Sequence, residues 1–150
     1  MIIIPKAPGL VVVCLVSLLS VRCANALHDQ KAITTVLETE SRTWRNGDTA
    51  AHNACWAIKP YSLVLFSNTE GTSLMIPAER MLDPASMGKG GSSSNSNYRF
   101  SIHGRNAWVS LDEVSVDAAG KKSYSHEIKL LEKIHGAWKI VGQSIHMYKN

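Results

Sequence analysis

Six histidines and four tryptophans are the side chains of this 150-residue chain that most invite a chemical reading. A helix that grips zinc needs two ligands three or four residues apart. No pair among His28, His52, His103, His126, His135 and His146 has that spacing. HExxH and paired-cysteine motifs are absent too, so neither a metal nor another cofactor is expected. Nucleophilic catalysis finds no G-x-S-x-G, and Cys55 has no adjacent basic residue to lower its pKa. Acid–base chemistry by histidine survives. His52 and Trp56 stand one helical turn apart and share a face, and His126 and Gln143 fall on facing strands. With Trp44 and Tyr124 as neighbours, these six residues are the expected lining of a pocket: an apolar hollow with a few convergent polar groups. Each has a blander alternative. A histidine on an apolar face is commonly a core residue bonded to a backbone carbonyl, and Trp44, Trp56 and Trp138 are the type of residue that anchors cores.

The elements that must position these residues begin with a turn. His135-Gly136 occupies the two loop positions of a hairpin, where positive φ is wanted at both. The implied register pairs Ile134 with Ala137, Glu132 with Lys139, Leu130 with Val141, Ile128 with Gln143, His126 with Ile145 and Tyr124 with Met147. That face is apolar apart from His126, Gln143 and the Glu132/Lys139 pair. Burial there would hold His126 neutral, lowering its pKa from about 6.5 by disfavouring the imidazolium. The opposite face carries Trp138, Ile140, Ser144 and His146, and its mixed character predicts a contact between two copies of the chain.

Upstream, Ile33, Val36, Leu37 and Trp44 give His28 to Arg45 the stripe of an amphipathic helix. Asn46-Gly47 stops it, Asp48 caps a second helix through His52, Cys55 and Trp56, and Pro60 ends that one. A hairpin is predicted from Tyr61–Phe66 and Ser73–Ile76, then a short helix over Pro77–Leu82. Met87–Asn97 (MGKGGSSSNSN) has no apolar periodicity and reads as a flexible loop. Long strands follow over Tyr98–His103, Asn106–Val116, Lys121–Ile134 and Ala137–Tyr148, and strands of that length must twist into a concave sheet.

Residues 1–26 read as a cleavable signal peptide. Lys6 gives a positive start, Leu10–Val21 is uncharged and apolar, and Ala24-Asn25-Ala26 places small residues at a peptidase site. The mature chain would begin at Leu27 and be exported, periplasmic or secreted, with no remaining membrane segment. A lipid anchor at Cys23 is the lesser alternative, since Arg22 stands where such a site wants a small residue. Removing the segment leaves fourteen basic and twelve acidic residues, a net charge of +2. With no basic cluster, nucleic acid is not an expected partner. Cys55 is then the lone thiol, so no intrachain disulfide can form.

Together Trp44-Arg45-Asn46-Gly47-Asp48, Gly104-Arg105-Asn106-Ala107-Trp108-Val109 and the closing Leu131–Val141 segment (LEKIHGAWKIV) resemble motifs of the nuclear transport factor 2-like superfamily. SnoaL-like and ketosteroid-isomerase-like proteins share that fold. The resemblance implies an α+β domain over 27–150, with a cone-shaped curved antiparallel sheet wrapped around N-terminal helices. It also implies a pocket at the open end of the cone and pairing of two subunits through the convex side. It carries no reaction. Isomerases of this class use an Asp base, but the expected inner wall holds no carboxylate except Glu132 at its rim. The resulting expectation is an exported domain that binds a small, mainly apolar molecule. The alternatives are a lyase, dehydratase or isomerase-type enzyme using a pocket histidine, and a protein-interaction module acting through the outer face.

Overall fold

A computed structural model describes the backbone of residues 10–150 and the side chains of residues 26–150. The expected signal peptide therefore lies almost wholly outside the described side chains. Helix α1 (Leu10–Asn46) ends where the sequence predicts, with Gly47 at φ 71°. Asp48 caps α2 (Thr49–Asn53) by accepting from the Ala51 amide at 3.1 Å. This second helix is shorter than expected. Trp56 leaves it to form a parallel bridge with Ile140, because Cys55 and Ala57 exchange backbone hydrogen bonds with that residue.

Strands β1 (Leu63–Ser67), β2 (Ser73–Pro77), β3 (Gly91–His103), β4 (Asn106–Asp117), β5 (Lys122–Ile134) and β6 (Ala137–Tyr148) form one sheet in the order β2-β1-β6-β5-β4-β3. Its pairs are antiparallel except β1 with β6. Two short 3₁₀ turns, Ala78–Leu82 and Pro84–Ser86, link β2 to β3. The Ser-rich stretch expected to be a loop is the first half of β3. It lies at the sheet edge, where backbone pairing of Gly91–Ser96 with Asp112–Asp117 suffices and no apolar side chain is required.

The His135-Gly136 turn forms as expected, with φ of 49° and 84°. From it the register runs Ile134↔Ala137, Glu132↔Lys139, Leu131↔Ile140, and then slips by one, so that Leu130 faces Gly142 and His126 faces His146. Val141 is the extra residue of a β-bulge. The expected face of β5 is thereby corrected: Leu131, Lys129, Glu127 and Ser125 point inward, while Leu130, Ile128 and His126 point out. Trp138 and Ile140, expected on the outer face, are in the core.

That core joins Ile33 and Leu37 of α1 to Val109 and Leu111 of β4, Leu131 of β5 and Ile140 of β6. α1 is tied to the hairpin by Asp29, whose Oδ1 accepts from Lys133 Nζ at 2.6 Å and Trp138 Nε1 at 3.0 Å. Cys55 is free and buried, and burial pushes its thiol up to about 11. Among the described residues no helix is long and apolar enough to cross a membrane. Adjacent leucines should report the inward face of β5 directly. Leu131→Ala is expected to cost about 2–5 kcal/mol in chemical unfolding, and Leu130→Ala, half-exposed, well under half of that.

Candidate functional site

Along β4 the inward residues run Ala107, Val109, Leu111, Glu113, Ser115, and along β5 they run Leu131, Lys129, Glu127, Ser125, Ser123. β5 turns polar first, at Lys129 opposite Val109, and β4 follows at Glu113 opposite Ser125. There the core ends and a cavity of about 490 Å³ begins, open to solvent. One wall is apolar, built by Val64 and Phe66 of β1, Ile76 of β2 and Ile145 and Met147 of β6. The other is polar. The last two turns of α1 supply Glu40, Ser41, Trp44 and Arg45, and β4 to β6 supply Glu113, Glu127, Lys129 and Gln143.

Local structure fixes the helical side. The amides of Gly88 and Gly90 donate to the Trp44 and Arg45 carbonyls at 2.9 and 2.8 Å, closing the end of α1. Gly88 is required there, since a Cβ would lie 2.9 Å from the Arg45 carbonyl oxygen. The Arg45 guanidinium lies over the Trp44 ring at 4.8 Å and pairs with Glu113 at 2.6 Å.

Lys129, only 3 % exposed, organises the floor. Its Nζ lies 3.2 Å from Glu40 Oε2 and 2.9 Å from Glu127 Oε2, and donates to Gln143 Oε1. Glu127 Oε1 accepts from Ser125 Oγ at 2.9 Å, but its Oε2 makes no aligned hydrogen bond despite the nearby ammonium. Burial raises the Glu127 pKa; Lys129 opposes the shift, and Glu113 and Glu40 add to it. Burial works against the charge on Lys129, yet Glu127, Glu40 and Glu113 outweigh it and raise its pKa. The nitrogens Trp44 Nε1 and Arg45 Nε are buried without partners.

Of the six expected pocket residues, Trp44 and Gln143 line this cavity. The other four do not. His52 is wholly buried beneath it, with Nδ1 donating to the Glu40 carbonyl at 3.3 Å, so it supports the floor from behind. Trp56 is a core residue, 6.3 Å from the His52 ring. The unbroken alternation of β5 from the inward Leu131 puts His126 and Tyr124 outside, and the bulge in β6 parts them from Gln143. His126 is 63 % exposed at the side chain, faces Asp112 Oδ1 at 2.5 Å and stacks on Tyr148 at 4.4 Å. The inner wall, expected to hold no carboxylate but Glu132 at its rim, holds Glu40, Glu113 and Glu127 and not Glu132. Glu40, Glu113, Glu127 and Lys129 escaped sequence reasoning, although the alternation of Ala107, Val109 and Leu111 with Trp108, Ser110 and Asp112 marks the inner face of β4 and leads to Glu113. Among the described residues no group of three or more His, Cys, Asp or Glu is arranged to hold a metal ion.

An open cone of one curved sheet around a long helix is also found in solved structures. An NTF2-like protein of unknown function from Shewanella baltica OS155 superposes with a TM-score of 0.62 at 16 % identity, over 83 % of this chain and 97 % of that one. This chain has the nuclear transport factor 2-like fold. Another protein of this fold, described as NTF2-like and cystatin-like, from Novosphingobium aromaticivorans, gives 0.63 at 13 % identity, covering 86 % and 87 %. A proposed scytalone dehydratase from the same species gives 0.62 at 13 %, covering 85 % and 89 %. By sequence, no family model and no curated protein matches. At these identities the NTF2-like likeness speaks for the fold alone.

A carboxyl whose pKa is raised by folding binds its proton more tightly in the native state, so it stabilises at low pH and loses that contribution as pH rises above the ordinary value of about 4.3. Asp29 and Asp112, both held low, act in the opposite sense, so the expected effect is in the difference: the stability of wild type relative to Glu127→Gln declines as pH rises above the ordinary carboxylate range. Denaturant unfolding across pH measures both. Lys129→Met, which strands Glu40 and Glu127 without their cation, should cost about 3–5 kcal/mol at neutral pH.

Proposed function

We propose that this domain binds a small, mainly apolar molecule in the cone cavity, its polar end against the Lys129–Glu127 floor. The observation that carries the reading is the division of the cavity. About 490 Å³ of space lies between an apolar wall and buried polar groups, three of which, Trp44 Nε1, Arg45 Nε and Glu127 Oε2, lack aligned hydrogen-bond partners. A well-packed interior leaves neither such space nor such groups. Ile145→Trp should fill the cavity from its apolar side. Mass spectrometry of protein from its native source is expected to find a bound molecule, and the same preparation of Ile145→Trp to lack it. A folded variant that keeps the molecule would contradict the reading.

Glu127 favours a second reading. A buried carboxyl with a raised pKa beside a cavity is suited to general acid–base work, so the lyase, dehydratase or isomerase alternative is best carried by Glu127. Histidine is not suited, since His52 and His126 lie outside the cavity. Under this reading Glu127→Gln loses turnover and keeps the ligand.

Two further proposals concern the whole protein. Pairing of two copies is supported on the convex face by the exposed side chains of Trp108, Ile128 and Leu130, neighbours across β4 and β5. Trp138 and Ile140 are too deep to take part; Ser144 and His146 border the stripe. Leu130→Asp is expected to shift sedimentation from dimer to monomer. Export with cleavage after Ala26 rests on the leader's composition, and Asp29, three residues on, would keep its bonds to the hairpin. N-terminal sequencing of the exported form is expected to begin at Leu27.

A further inference from the structure

The sheet ends at two free edges, and they are not alike. β2 is five residues long and closes on Pro77, which has no amide to offer. β3 runs for thirteen residues, and its first six, Gly91–Ser96 (GSSSNS), hold neither charge nor proline. The bulge that would spoil this edge begins only after Ser96, with Asn97 at φ 55°. Short strands, prolines, bulges and charged side chains are the usual protection of an edge against another chain. Gly91–Ser96 has none of these. One side of it pairs with Asp112–Asp117 of β4, so every second residue turns its N–H and C=O away from the sheet. Among the described residues no hydrogen bond reaches those outward groups.

A helix stands across from this edge. A groove of about 590 Å³ lies between Gly91–Asn95 and the flank of α1 that carries Thr35, Glu38, Thr39 and Arg42. It shares no lining residue with the cone cavity. Asn95 Nδ2 donates to Ser41 Oγ at 3.3 Å and the Gly90 amide to the Arg45 carbonyl at 2.8 Å, so α1 and β3 run in opposite directions along the groove. Glu38 and Arg42 are exposed and four residues apart. Neither makes an ion pair among the described residues.

An unpaired edge facing a helix across a groove has room and hydrogen-bonding capacity for one more strand. We infer that the groove takes an extended segment of a partner polypeptide, paired antiparallel to Gly91–Ser96, with a basic residue and, two positions on, an acidic one turned toward α1. The spacing follows from the two elements: four residues of helix rise about 6 Å, and two residues of strand about 6.8 Å. The order follows from direction, since a strand antiparallel to β3 runs with α1 and meets Glu38 before Arg42. Antiparallel pairing is the more stable arrangement. A second copy of the chain is the poorer occupant, because its own edge brings no charge to Glu38 and Arg42.

Three fluorescein-labelled peptides with blocked ends test this by anisotropy on the chain: TVTKTETVT, the charge-swapped TVTETKTVT and the uncharged TVTQTQTVT. The first is expected to bind at least about fivefold more tightly than the second at low salt, with the third between them, and the spread should shrink as salt rises. Exchanging the charges on the helix, Glu38→Lys with Arg42→Glu, should reverse the order. Both side chains are exposed and unpaired, so the fold does not depend on them. Adding the first peptide should slow hydrogen exchange at amides within Gly91–Ser96 and not along β2. Equal binding of the three peptides, an order unmoved by the double exchange, or unchanged hydrogen exchange at Gly91–Ser96 overturns the inference. No binding of any peptide up to about 1 mM overturns it as well. So does sedimentation in which Ser94→Lys, a charge on the edge itself, dissociates the chain, because the occupant is then a second copy. The groove and the cone cavity share no residue, so none of these outcomes bears on the binding reading of the cavity.

Discussion

The ammonium of Lys129 is the point at which helix, sheet and cavity meet. It reaches Glu40 on α1, Glu127 on its own strand and Gln143 on β6, so three elements share one buried cation. A charge so far from water is tolerated only with close partners, and ion pairs of this kind are often no better for stability than apolar residues of the same volume. Stability alone is thus a poor reason for Lys129, three carboxyls and Arg45 at the end of a core that could have continued in leucine and valine. A polar floor under an open cavity is a better one. The cluster keeps the last turn of α1 off the sheet at the place where the walls part, and it presents donors and acceptors already fixed in position.

The architecture was legible in the sequence because it rests on local signals: the stripe of Ile33, Val36 and Leu37, the Asp48 cap, and the His135-Gly136 turn with its register over the first pairs. The site was not, and one residue accounts for most of that. The bulge at Val141 lets Trp138 and Ile140 on one side of it and Gln143, Ile145 and Met147 on the other all face inward, so Gln143 was no guide to β5, whose unbroken alternation turns Leu131, Lys129, Glu127 and Ser125 inward. Histidine and tyrosine were thereby exchanged for Lys129 and Glu127. Nothing in the apolar pattern announces a bulge, since Ile140 and Val141 are both apolar and both buried. β4 had no such ambiguity; carried across to β5, its alternation would have given the correct face. The Ser-rich half of β3 was missed for a different reason, because an edge strand is held by its backbone and leaves no apolar trace.

The same inversion redistributes the outer face. Trp138 and Ile140, which looked like contact residues, seal the core with Ile33 and Leu37, whereas Trp108, Ile128 and Leu130 lie outside. Nearby, the Asp112–His126 pair is solvent-exposed, and Asp112 is held below the usual carboxylate range by Asn97 and then by His126. Polar chemistry on the two faces differs in kind: exposed and screened outside, buried and short of partners inside. A fold that hosts many unrelated functions leaves function to such differences.

The protonation state of Glu127 is the physical property on which the account of the cavity turns. Carbon-13 NMR of the glutamate carboxyls, with Glu127→Gln to assign the resonance, reads it directly. A Glu127 signal that titrates well above the ordinary value of about 4.3 is the predicted result. A Glu127 that ionises within the ordinary carboxylate range, like a surface glutamate, would contradict the account.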